Sequence, residues 1–251
     1  MFLGELKQYY LNYLFYNLGM VTMFIGLFYS FNQNSNQKEA AILLIGLITW
    51  QLCTSGFTYF VGVIEDEALM GTLEQIFMTR TSIYKVLFSK ALVTSVFNLL
   101  KAFFIFVICL VFFRCGGVFL GLGVRTVYIC IAVAFTLVSF YLLGLFAAGL
   151  ALFYKRIQSV AQIINYVLLF FANITVDIQL LPAVLQPIGY VVPIGWTMRI
   201  VRGLVLHDGI YIAAGDVIGL VLSTVCFGLI GFIGFRVSLK RAKKFGKLGH
   251  Y

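Results

Sequence analysis

The sequence predicts an all-α integral membrane bundle of six spans, and three observations predict it. Apolar residues fill 62% of the 251 positions and charged residues only 11%, where a soluble domain carries about a quarter charged. Six apolar runs approach the roughly 20 helical residues that cross a hydrocarbon core about 30 Å thick. The basic residues behind the net charge of +9 sit between and after those runs, where they orient a chain in a bilayer. A nucleic-acid partner is not expected, because no basic patch is interleaved with exposed aromatics.

Residues 1–12 come first. Phe2, Leu6, Tyr9, Tyr10 and Tyr13 recur every three or four positions, with Glu5, Lys7, Gln8 and Asn12 between them. That pattern predicts a helix lying in the membrane interface with tyrosines at headgroup depth. No small-residue cleavage site follows the first apolar run, so it is not read as a secretory signal. The six runs are Tyr13–Phe31, Ala40–Ile64, Ala91–Phe113, Thr126–Phe153, Val160–Val176 and Val217–Phe235. Between the second and third runs lies the largest soluble-looking piece, Glu65–Lys90, with its distinctive part in 65–85. Ile178–Met198 carries no charge, but Pro182, Pro187 and Pro193 interrupt it. A lipid-facing helix tolerates such breaks only where neighbours satisfy the freed backbone groups. The stretch is therefore read as two short re-entrant helices within 177–215, leaving 236–251 as a basic tail. Six spans place twelve Lys and Arg on the side of the N-terminus and five on the other. A seventh span would carry the six basic residues of the tail across. Both termini are accordingly expected in the cytoplasm, with the chain multi-pass in the cell membrane.

The chain lacks a Walker A pattern, a serine–histidine–acid arrangement and an HExxH pattern. Its two histidines, His207 and His250, stand far from any paired acid. Cys53, Cys109, Cys115, Cys130 and Cys226 are odd in number and show neither CxxC nor metal-ligand spacing. No metal is expected, and most of these cysteines read as small hydrophobes.

Polar residues within the spans form stripes at helical spacing: Gln51, Ser55 and Thr58 on the second run; Thr94, Asn98 and Lys101 on the third; Gln158, Gln162 and Asn165 entering the fifth. Each stripe fits either interhelical contacts or the lining of a route across the membrane. An unpaired Lys near mid-bilayer costs about 3 kcal/mol, so Lys101 is expected to face the bundle interior or water.

The segment after the second run reads EDEALMGTLEQIFMT over residues 65–79. Leu73, Ile76 and Phe77 form one apolar face of a short helix, which fits equally a helix on the membrane surface or one docked in a partner's groove. This run resembles the E-x-E-x-x-x-G-T-L-E-Q stretch of ABC-2 type transporter permeases, matching at Glu65, Glu67, Gly71, Thr72, Leu73, Glu74, Gln75 and Thr79. The family's usual Pro after that Thr is here Arg80, and its Gly-Lys before the third span is Ser89-Lys90. A second stretch, LPAVLQPIGYVVPIGWTMRIVRGLVLHDG, resembles the family's extracellular region between the fifth and sixth spans. There Pro182, Pro187, Pro193, Arg202 and Gly209 correspond.

The resemblance implies that the whole chain, 1–251, is one transmembrane domain of an ATP-driven exporter. It implies that residues 65–77 couple to a separate ABC ATPase, which supplies ATP hydrolysis with Mg²⁺, and that this chain is not itself an enzyme and binds no cofactor. A second permease copy, as a homodimer or a related heterodimer, is implied too. The second and fifth spans would meet across that interface, which favours a lining role for their stripes. The loop type implies an amphiphilic or apolar substrate such as a drug, peptide, antibiotic or lipid. Arg199 and Arg202, at i and i+3, either anchor the outer cap to lipid phosphates or hold it shut through a specific bond. Two other functions remain open at this level: a membrane immunity or sensor protein that binds a toxin, and a membrane-embedded lipid-modifying enzyme.

Overall fold

The computed structural model describes residues 10–31, 36–72, 75, 78, 83–154, 157–174, 182–184, 186–207 and 209–244. Among them are nine helices: α1 Tyr10–Phe31, α2 Gln37–Leu69, α3 Ile83–Phe113, α4 Gly116–Leu122, α5 Arg125–Tyr154, α6 Gln158–Phe171, α7 Gln186–Val191, α8 Pro193–Leu206 and α9 Ala214–Lys244. Four of these, α2, α3, α5 and α9, are long and apolar enough to cross a membrane. The chain is thus an all-α, multi-pass membrane bundle. Leu14–Ser30 of α1 and all of α6 are apolar but shorter. At 1.5 Å per residue the 14 residues of α6 span about 21 Å.

Several helix ends differ from the sequence expectation. Helix α2 runs on to Leu69, so Glu65, Asp66 and Glu67 are its last turn and not the start of a loop. Helix α3 begins at Ile83, eight residues before the apolar run, and α9 continues through the first basic residues of the tail to Lys244. Charged side chains at a span's end do not stop a helix; they need only reach water or a partner. The fifth run ends at Phe171, followed by Ala172 and by Asn173 in the left-handed region at φ 58°, a conformation asparagine adopts more readily than most residues. Helix α4 fills the turn between α3 and α5 and was not expected from its glycine-rich sequence. The interfacial segment up to Tyr9, most of 73–82, residues 175–181 and 245–251 lie outside the described residues.

Helix α2 is the bundle's buried centre. Leu44, Leu47, Cys53, Phe60 and Val61 on it are wholly inaccessible, and α5 packs along it on one side while α9 packs on α5. Close approach drives this packing. A Cβ at Gly144 of α5 would lie 2.9 Å from the Phe57 carbonyl oxygen, and one at Gly231 of α9 would lie 1.9 Å from the Leu142 oxygen. Small residues at such crossings let backbones meet where no hydrophobic effect drives helices together in lipid. Hydroxyls add interhelical bonds: Ser139 Oγ donates to Thr224 Oγ1 at 2.8 Å, and Thr136 bonds Thr197 across α5 and α8.

Candidate functional site

At the C-terminal end of α2 the backbone sets the geometry. Gly71 takes φ +71°, open to glycine at no steric cost. Its N–H donates to the Ala68 carbonyl at 3.1 Å, and that of Thr72 donates to the Glu67 carbonyl at 3.0 Å. These two bonds are a Schellman cap. The Gly-Thr pair therefore ends a 33-residue helix and sets the direction in which the chain leaves it.

Two carboxylates of the last turn, Glu65 and Glu67, face neighbouring helices, while Asp66 is exposed. Glu65 Oε1 accepts the backbone N–H groups of Ile157 at 2.6 Å and Gln158 at 3.1 Å. Ile157 is the N-cap of α6 and has no side-chain bond of its own, so Glu65 caps α6 from another helix, where the helix dipole also favours an anion. Glu67 accepts from the Thr72 hydroxyl and pairs with Lys90 of α3. Two carboxylates on α2 thus bind it to α3 and α6. Gln75 and Met78 are helical and exposed. Leu73, Glu74, Ile76, Phe77 and Thr79 lie outside the described residues.

Beside this junction a cavity of about 400 Å³ opens between α1, α2, α3 and α6. Gln51, Ser55 and Thr58 line it from α2, and Thr94, Asn98 and Lys101 line it from α3. Two of the three polar stripes therefore converge on one space, which reaches from Asp66 near the carboxylates to Gln51. Those two residues stand about 22 Å apart along the helix. Tyr16 of α1 completes the wall. The third stripe divides: Gln158 lines the cavity, Gln162 is exposed, and Asn165 is buried, its carbonyl accepting Trp50 Nε1 at 3.2 Å. Gln51 is 4% exposed, and its Oε1 finds no hydrogen-bond partner among the described residues.

The opposite end of the bundle is held by cations on carbonyls. Arg125, the first residue of α5, donates to Leu204 O at 3.1 Å, His207 O at 2.6 Å, Gly121 O at 2.9 Å and Leu122 O at 3.4 Å. Lys38 of α2 donates to Leu206 O at 3.1 Å. Together they satisfy the carbonyls that a helix leaves open at its C-terminus, here on α4 and α8. Arg202 donates to Asn173 O at 3.2 Å. Arg199 pairs with Asp216 of α9 at 3.7 Å and lies over the rings of Tyr190 and Trp196 at 4.5 and 4.9 Å. Pro193 opens α8 at its first position and Pro187 lies within α7, while Pro182 precedes α7 outside any helix. Arg125 and Lys38 were not singled out by sequence, since their partners are carbonyls of Gly, Leu and His residues that carry no side-chain signal. For Arg125 the available clue is its position directly after α4, whose last carbonyls it meets; Lys38, 168 positions from Leu206, leaves none.

A family profile described as ABC-2 type transporter matches residues 4–206, which include the capped end of α2, the cavity and both short helices α7 and α8. The chain belongs to the ABC-2 type transporter family. Members of this family are non-catalytic transmembrane permease subunits that generally pair with ABC ATPase subunits. No curated protein matches the chain.

Proposed function

We propose that this ABC-2 permease is the membrane-spanning part of an ATP-driven exporter, with six spans and both termini in the cytoplasm. The observation that carries the reading is the α2 terminus, where Glu65 holds α6, Glu67 holds α3, and the polar cavity lies between the three. The segment after Gly71 docks on the ATPase through Leu73, Ile76 and Phe77, with Glu74 and Gln75 on its flank. A push there passes through the Schellman cap into α2 and, through the two carboxylates, into α3 and α6. These are the walls of the cavity, so the push reshapes the space that holds substrate. Two copies, or one copy with a related permease, place two such cavities face to face across the exposed surface of α6. The cargo is an amphiphile, because the space is polar and its surroundings are lipid. ATP and Mg²⁺ stay with the partner, and α7, α8 and the cations on the carbonyls of α8 form the cap at the exit.

The test is ATP hydrolysis in a reconstituted complex of the chain with its co-purified ATPase. Phe77→Asp, which would bury a charge without a counter-ion in the docking groove, is expected to abolish permease-dependent stimulation while the variant still inserts. Normal stimulation by Phe77→Asp would sink the docking assignment. Failure of the wild-type chain to recover any ATPase would sink the exporter reading.

A further inference from the structure

A second cavity, of about 350 Å³, lies between α3 and α5 and is lined almost wholly by carbon. Leu92, Leu99 and Val138 on its rim are exposed on the outer surface of the bundle, at 69%, 51% and 51%, where the surrounding medium is acyl chain. At its inner end stand Leu52 and Asn98, and both also line the polar cavity. One space wet by hydrocarbon and one walled by Gln51, Thr94, Lys101 and serine and threonine hydroxyls therefore meet at two side chains. We propose that the two form a single site for an acyl amphiphile taken from the bilayer, its chain in the α3–α5 cleft and its head group in the polar cavity.

The polar half specifies the head. Gln51 Oε1 is a buried acceptor without a partner among the described residues, and leaving such an atom unmet is costly. Gln51 lines the cavity, so a ligand toward which its amide turns, and which donates a hydrogen bond to it, relieves the cost. Lys101, on the facing helix, gives the same wall a positive charge. The head that fits both carries a donor, such as an ammonium or hydroxyl group, together with an anionic group. A ligand of this shape enters sideways from the leaflet, between α3 and α5, and its chain stays in apolar surroundings throughout. This inference rests on the transport reading above, whose cargo it specifies.

The test uses the full chain in phosphatidylcholine vesicles and two photoprobes that carry the same diazirine-bearing acyl chain. One ends in a lysophosphatidylethanolamine head; the other is a methyl ester. The phosphoethanolamine probe is expected to label the α3 and α5 segments around Leu99 and Val138, and to do so more strongly than the ester. Ala134→Phe, which fills the cleft from an exposed lining position, should remove most of that labelling. Val138→Trp blocks the same mouth if Ala134→Phe does not accumulate. Gln51→Leu should weaken the phosphoethanolamine probe about tenfold, as loss of one buried hydrogen bond implies, leave the ester unchanged, and not lower thermal stability. Equal labelling by both probes, or labelling indifferent to Gln51→Leu, means only ordinary boundary lipid and overturns the proposal, as does labelling that survives both blocking variants. No ATPase is needed, so failure here together with loss of stimulation in Phe77→Asp would leave the exporter reading standing.

Discussion

Glu65 and Glu67 lie two positions apart on one helix and do different work. Glu65 satisfies N–H groups that open α6, and such caps contribute about 0.5–2 kcal/mol. Glu67 joins Thr72 and Lys90, but Lys90 is 43% exposed and the pair is screened accordingly, so it contributes little to stability. Glu65→Ala is therefore expected to raise hydrogen exchange in the first turn of α6 and to reduce coupled ATPase activity severalfold, whereas Glu67→Gln leaves exchange there unchanged. Exchange in α6 that ignores Glu65→Ala would remove the cap from the coupling route. At Gly71 the backbone itself selects the residue. Gly71→Val should cost about 1–2 kcal/mol, the penalty for a side chain in the left-handed region, and Gly71→Asn less, since asparagine visits that region readily; melting of the purified protein decides between them. Sequence reading placed these residues in the coupling segment without showing why each type is needed. A carboxylate's partner on another helix leaves no mark at its own position, and a Schellman cap is visible only once the helix end is known.

At the level of elements, helix centres were legible and helix ends were not. Apolar runs identify what sits in lipid, but Glu65–Glu67, Ile83–Lys90 and Arg236–Lys244 continue helices beyond it, and polar sequence does not distinguish a helix leaving the bilayer from a loop. Two polar stripes were legible because an i, i+4, i+7 spacing puts side chains on one face; that Gln162 would part from Gln158 and Asn165 depends on how α6 rotates against α2. Packing of α5 with α2 and α9 was not legible, since the glycines that permit it resemble any others. Gly231→Ala is expected to destabilise the bundle by about 1–3 kcal/mol, as overpacking does, because its Cβ meets the Leu142 carbonyl. Gly19→Ala, with nothing within 4 Å, serves as the neutral comparison in steric-trapping or thermal assays. Equal stability of the two variants would mean that α5 and α9 do not meet as closely as described. Arg125 also acts between elements. Arg125→Lys cannot reach four carbonyls with one ammonium, so protease access to α8 should rise well above wild type; Arg202→Lys, which keeps a cation able to donate to Asn173 O, should raise it less.

Over the whole molecule, charge asymmetry and hydrophobic length determine the proposed topology, and labelling can test it. A single cysteine at Lys247, in a chain lacking the five native cysteines, should react with an impermeant maleimide only after the membrane is opened. Reaction in sealed cells would reverse the orientation or change the number of spans. Helix α2, tied at both ends, adds a constraint of another kind. Lys38 joins its first turn to the carbonyl end of α8, and its last turn holds α3 and α6, about 40 Å away along the helix. If a partner at one end favours a shifted α2, the free energy it spends appears at the other end as a looser or tighter hold on α8. Thermodynamic linkage makes that exchange reciprocal. An antibody fragment that recognises only one arrangement of α8 must therefore change ATPase binding by the same factor, and in the same direction, as the ATPase changes binding of the fragment.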